Sequence, residues 1–210
     1  EIRLSLVGSE MCIRDRYNWD KEIYNHVKVV NKNGKDWYPG KWRREWMPIG
    51  YKNPNVTDVN FCYLRYADVV LMAAEAYNET GDTSEAWKLL NSVRKRAGAR
   101  EITTENYTEL MKEKVYKLNF ISDADDAGKF RTALYWERGF ELAFEGQRKY
   151  DLIRWGVIKE ALTLFSSRSS VKSSYPAGDN FQKGKHELFP IPLDELQLNP
   201  MFESKNNPNY

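Results

Sequence analysis

The chain has 210 residues, which suits one large domain or part of a larger one and is long enough to bury a sizeable core. Lys and Arg number 32 against 30 Asp and Glu, so the charge of +2 carries no nucleic-acid footprint, and no run of 18 apolar residues marks a membrane-spanning helix. Cys12 and Cys62 supply neither a disulfide framework nor metal-ligand spacing. Aromatic residues make up 14%, with seven Trp and thirteen Tyr. Flat rings with a polar edge suit carbohydrate or peptide binding, but a large helical core uses them equally well and is the default reading.

In chain order, "SLVGSEMCIRDR" (Ser5 to Arg16) has neither helical nor strand periodicity. It is not a lipid-attachment box, because that motif places Cys directly after a small residue, and Cys12 follows Met11. No basic segment followed by an apolar stretch and a cleavage site marks a secretory signal. Residues 17–62 are turn-rich, with one short extended piece at Ile23–Val30. Trp37, Tyr38, Trp42 and Trp46 cluster there, either stacking on sugar faces or covering the end of a helical body.

A strong helical signal starts near Tyr63 in "YLRYADVVLMAAEAYNETG", apolar almost all round and so expected to be buried on most sides. Gly81 is placed to end it, and Asp82 with Glu85 has capping-box spacing. A second helix, "SEAWKLLNSVRKRAG", puts Ala86, Leu89, Leu90, Val93 and Ala97 on one face and stops at Gly98. This antiparallel hairpin fits the tetratricopeptide pattern in part, through Ala74, Tyr77, Ala86 and Leu90. Tyr77 and Leu90 are expected to fill the gap between the helices. One repeat cannot bury its own faces, so it must pack on other elements.

Residues 104–118 suggest a further helix, and a longer helical region begins near Lys129 and is interrupted at Gly146. Residues 166–185 read as a loop. The Pro- and Asn-rich end offers Leu188, Phe189, Ile191 and Leu196 as anchors. Within the long helical region, Glu137, Glu141 and Glu145 recur at i, i+4, i+8, placing three carboxylates on one face. Glycoside hydrolysis needs such a pair in an open cleft. However, Arg138, Arg148, Asp151 and Arg154 surround them, which predicts an ion-pair network joining this helix to the segment after Gly146. Arg65, Arg94 and Arg96 are expected to join such a network, through Glu75 or the Glu137 helix. His26 and His186 are isolated, so zinc and nucleophilic chemistry have no support.

Three segments together resemble the SusD/RagB family: "YLRYADVVLMAAEAYNETGDTSEAWKLLNSVRKRAG", "ERGFELAFEGQRKYDLIRWG", and "LFPIPLDELQLNP" with the terminal "NNPNY". They occur in family order across most of residues 60–210. Departures are small: Asp68 stands where Glu is usual, Gly139 where a larger residue is common, and Gln147 and Lys149 replace a commoner His and aromatic. The resemblance implies a mostly α fold, with a tetratricopeptide-like helical hairpin scaffold and long irregular loops. It implies a non-enzymatic lipoprotein on the surface of the bacterial outer membrane. Such a protein captures an oligosaccharide or other nutrient and delivers it to a SusC-like TonB-dependent β-barrel transporter, with no cofactor and no nucleic acid. It also implies that residues 17–210 are the C-terminal part of such a domain, the signal peptide, lipid-bearing Cys and early helices belonging to a preceding part. In this picture Arg65, Glu137, Arg138, Glu141, Glu145, Arg148, Asp151 and Arg154 are scaffold, and Trp37, Tyr38 and Trp46 are the ligand candidates.

"LVGSEMCIRD" matches, at all ten residues, one reading frame of a transposase adapter used in DNA library preparation. Residues 1–16 are therefore expected to be a non-native, adapter-derived segment. Two other functions compete with nutrient capture. A tetratricopeptide-type module binding a peptide needs several repeats lining a concave face, and a glycoside hydrolase needs Glu137 or Glu141 in an open cleft.

Overall fold

The computed structural model of the chain describes residues 17–20, 25–28, 41, 60–111, 116–168, 176–202 and 205–210. Residues 1–16, and with them Cys12, lie outside this set, as do Trp37, Tyr38, Trp42 and Trp46. The chain divides into two compact units, residues 1–148 and 149–210.

The first unit contains an antiparallel ladder of β1 (Tyr17–Asp20) and β2 (Asn25–Lys28), with Tyr17 opposite Lys28 and Asp20 opposite Asn25. The second strand lies inside the extended piece expected at Ile23–Val30. Among the described residues the remaining elements of this unit are helical. Helix α1 (Tyr66–Glu79) is built from Ala, Leu and Val, and it ends where Gly81 takes a left-handed backbone, φ +96°. The N–H groups of Gly81 and Asp82 return to the carbonyls of Asn78 and Tyr77, the pattern of a Schellman cap. The Asp82 carboxylate then accepts from the Glu85 N–H at 3.0 Å and starts α2 (Thr83–Arg96). One residue therefore closes one helix and opens the next, which makes the turn tight. Leu71 and Ala74 of α1 are fully buried with Ala86 and Leu90 of α2.

Two expectations fail here. Tyr77 does not fill the gap between the helices and is 44% exposed. Nor is α1 buried on most sides, since Tyr66, Val69 and Met72 are exposed as well. Among the described residues α1 packs on two helices, α2 and α4 (Asp126–Glu141), and two neighbours cannot cover an all-apolar cylinder.

Of the helix expected over 104–118, the described residues show one turn, α3 (Tyr107–Leu110), and residues 112–115 lie outside the described set. Its approach is fixed by the buried Asn91, whose amide nitrogen donates to the Ile102 carbonyl at 2.7 Å while its oxygen accepts from the Ile102 N–H at 2.8 Å. Helix α4 starts at Asp126, where the Asp125 side chain accepts from the Gly128 N–H at 2.7 Å. It buries Phe130, Ala133, Leu134 and Tyr135, and the Phe130 ring meets Trp87 of α2 edge to face at 5.1 Å.

The second unit follows α5 (Arg148–Arg154), whose first residue closes the first unit, with α6 (Ile158–Arg168), α7 (Ala177–Asn180), α8 (Leu193–Leu198) and a 3₁₀ turn at Pro200–Phe202. Part of the expected 166–185 loop is helical: α6 runs to Arg168 and α7 stacks on it. Gly178 permits this approach, since a Cβ there would lie 2.8 Å from the Thr163 backbone nitrogen. The tail packs differently from expectation. Leu188 and Phe189 are exposed, and the end of the chain is tied down by side chains bonding to main chain. The Asn207 amide donates to the Phe189 carbonyl at 2.7 Å, the Asn209 amide to that of Gly184 at 2.9 Å, and the Tyr210 hydroxyl to that of Leu188 at 3.0 Å.

Candidate functional site

The face of α4 that carries Glu137 and Glu141 continues past the helix end to Glu145, and all three carboxylates are buried. A buried carboxyl needs partners, and here each has at least one. Arg94 of α2 donates to Glu137 at 2.5 Å and to the Arg100 carbonyl at 2.9 Å. Arg65, just before α1, donates through Nε to Glu145 at 2.7 Å and through Nη1 to Glu141 at 2.5 Å. Arg96 donates to the same Glu141 oxygen, and Lys41 donates to Glu145 and to the Glu141 carbonyl. Arg138 pairs with Asp68 of α1 at 2.8 Å, both buried.

These environments pull the carboxyls apart. Burial raises Glu137 above the ordinary carboxylate value, and the Arg94 charge only partly offsets it. Burial also acts to raise Glu145, but the hydrogen bonds from Arg65 and Lys41 outweigh it and hold that carboxyl below the ordinary value. Arg65 is raised: burial disfavours its charge, and the bonds to Glu145 and Glu141 more than compensate.

The remaining residues of the expected network behave differently. Arg148 donates to the Tyr135 carbonyl at 2.8 Å and lies over the Tyr135 ring, 3.9 Å from its centre. Its guanidinium carbon also lies 3.4 Å from where a Cβ at position 139 would stand, an ordinary van der Waals distance. Asp151 and Arg154 pair with each other inside α5 at 3.0 Å. Sequence reasoning missed Lys41 and Asp68 as members. Asp68 had a readable signal, an acidic residue in an otherwise apolar run, whereas Lys41 had none.

Beside this cluster a groove of about 350 Å³ opens between the start of α1 and the end of α2. Ala67, Val70 and Val93 give it apolar walls, and Arg65, Tyr66, Ser92 and Arg96 its polar groups. Among the described residues no group of His, Cys, Asp and Glu is placed to hold a metal ion. A glycosidase using Glu137 or Glu141 is removed by their burial beside arginines, since among the described residues neither lines an open cleft.

The sequence model of the SusD family matches residues 7–210. The chain belongs to the SusD family. The matched range takes in part of the segment expected to be adapter-derived. SusD-like protein P25 of Formosa agariphila is 37% identical over 142 residues, 68% of this chain and 23% of that protein. SusD-like protein P2 of the same organism is 32% identical over 215 residues, 92% of this chain and 38% of that protein. A SusD homologue of Bacteroides thetaiotaomicron superposes with a TM-score of 0.71 at 26% identity, over 98% of this chain and 41% of that structure. A SusD superfamily protein of Bacteroides vulgatus shares the fold, with a TM-score of 0.60 at 24% identity, over 96% of this chain and 39% of that structure. The chain thus spans well under half the length of these relatives. Its helical hairpin α1–α2, closed by α4, is the tetratricopeptide-like scaffold of a SusD-family fold.

Proposed function

We propose that this SusD-family protein binds a glycan or other nutrient at the bacterial cell surface and passes it to a SusC-like TonB-dependent transporter, without chemistry on the ligand. The observation that carries this reading is the family match over residues 7–210. The Glu137, Glu141 and Glu145 pairings support the absence of catalysis, because an acid or base must be able to reach its substrate. In this proposal the protein is a lipoprotein of the outer membrane, and Trp37, Tyr38 and Trp46 contribute rings that stack on the ligand. Recognition works through apolar ring faces and a few polar groups that fix orientation.

A glycan array on the full-length protein, with a hydrolysis assay on every binder, tests this. Binding without turnover is the expected result. Turnover of a bound glycan would overturn it, and retention of none would remove the glycan class and leave other nutrients. Co-purification of a β-barrel transporter from detergent-extracted outer membranes tests the delivery step, and its absence would limit the protein to capture.

A further inference from the structure

Lys41 is a cation that the carboxylate cluster does not need. Arg65 and Arg96 already match Glu141 and Glu145 one for one, and Arg65 touches both carboxylates. Arg65 also donates through Nη2 to the Glu141 carbonyl at 2.5 Å. That carbonyl belongs to the last residue of α4, where a helix end lacks N–H groups of its own and its dipole favours a cation. Arg65 therefore supplies both the charge and the donor that the scaffold requires.

Lys41 nevertheless makes the same two contacts. Its ammonium pairs with Glu145 and donates to the Glu141 carbonyl at 2.7 Å, and its side chain is only 20% exposed. Withdrawing a lysine from water costs desolvation and the rotamer freedom of a long side chain. The return is positional. Lys41 and Arg65 meet at one carbonyl and one carboxylate, so the chain between them starts and finishes at a single point. Its far end is tied a second time, by the Gln147 amide donating to the Tyr63 carbonyl at 3.1 Å. At its near end the tie among the described residues is Lys41. Glu145 is turned toward that point by Phe144, whose φ of +64° is a strained backbone for a bulky residue and persists only where surrounding contacts impose it. Trp37, Tyr38, Trp42 and Trp46 all lie within five positions of Lys41 in the sequence.

We propose that Lys41 is a positioning residue: it fixes the aromatic-rich segment on either side of it to the end of α4, and so sets the affinity of Trp37, Tyr38 and Trp46 for ligand without touching the ligand itself. The ligand half rests on the reading of those three rings as binding residues. The anchor half rests on the Lys41 contacts alone.

The test compares Lys41→Met, Lys41→Arg and Glu145→Gln with wild type in the full-length protein. Met keeps the reach of the side chain without its charge, and Arg restores a cation with donors enough for both groups. Hydrogen exchange read by mass spectrometry follows peptides within residues 36–46. Titration calorimetry follows maltohexaose, xylohexaose, laminarihexaose and hexagalacturonate. Expected from Lys41→Met is exchange about tenfold faster in those peptides, with the protection of α4 and the melting temperature unchanged. Affinity for each probe that wild type binds should fall about tenfold, the loss of a pre-set geometry. Lys41→Arg should restore both, and Lys41→Met should have a smaller effect in a Glu145→Gln background, where its partner is already gone. Wild-type exchange in Lys41→Met would overturn the anchor. Faster exchange with wild-type affinity would overturn the link to ligand. A lowered melting temperature with loss of α4 protection would make Lys41 part of the scaffold and overturn the positioning role. No binding of any probe by wild type would overturn the ligand half while exchange still decides the anchor, and an empty glycan array beside it would remove the glycan class.

Discussion

Glu137 and Glu145 belong to one row of carboxylates and respond to pH in opposite senses. Glu145 has a lowered value in the fold, so its contribution to stability is present above the ordinary carboxylate range and is lost as pH falls through the lowered value. Glu137 has a raised value, so its ionisation costs stability as pH rises from the ordinary value through the raised one. Urea unfolding of Glu145→Gln against wild type is therefore expected to show a deficit above about pH 5 that shrinks under acid conditions. A deficit that is independent of pH would mean the ion pairs are not its source. Arg94→Met leaves the buried Glu137 carboxyl without its cation and is expected to cost about 3–5 kcal/mol at neutral pH. Adding Glu137→Gln to it should recover part of that loss, which denaturant midpoints of the single and double variants would measure. The partners in this row are the least legible feature of the sequence. The i, i+4, i+8 spacing announces a charged face, and the neighbouring arginines announce pairing. Yet Lys41 lies 104 positions from Glu145 and Arg94 43 from Glu137, and no local pattern chooses among the many cations at such separations.

The helix ends were readable because their causes lie within four residues. Gly81 and Asp82 specify a stop and a cap in one turn, and the structure uses both, while the Glu85 carboxylate pairs with Lys88 instead of closing a capping box. Burial along a helix depends on neighbours supplied from far away, so neither the apolar composition of α1 nor the tetratricopeptide pattern at Tyr77 fixes which side chains are covered. Element packing also rests on two glycines that no periodicity marks. A Cβ at Gly128 would stand 2.1 Å from the Ser122 carbonyl oxygen, and one at Gly178 2.8 Å from the Thr163 backbone nitrogen. Both obstacles are main chain, which cannot turn aside as a side chain does. Gly128→Ala and Gly178→Ala are each expected to cost about 1–3 kcal/mol. Asp125→Ala, which removes only the cap of α4, should cost about 1 kcal/mol. Thermal unfolding of the three variants would rank them, and an Ala at 128 as mild as the cap variant would refute the close approach.

At the scale of the whole molecule, the two units are held in different ways. The first buries apolar side chains between three helices, with the ion pairs along one side. The second relies more on polar ties, and its final residues reach back to residues 184–191 through Asn206, Asn207, Asn209 and Tyr210. Asn206 both accepts from the Ile191 N–H at 2.7 Å and donates to its carbonyl at 3.3 Å. Asn206→Ala is thus expected to speed hydrogen exchange of the Ile191 amide about tenfold, the loss of roughly one hydrogen bond. Unchanged protection would mean that the tail does not hold this segment. The three matched sequence segments made the family legible, since capping and packing residues recur wherever the same scaffold is built. Ligand choice was not legible, because it depends on which rings and hydroxyls the loops bring together. The manner in which the tail is tied has a consequence for how this protein can vary. The asparagines grip carbonyl and amide groups, which every residue except proline carries in full. The segment they grip can therefore exchange the exposed Leu188 for other residues without loosening, while Phe189, whose ring meets the Lys149 ammonium at 4.1 Å, and the asparagines themselves have less freedom. Sequence drift among relatives should fall on the held segment and spare the asparagines that hold it.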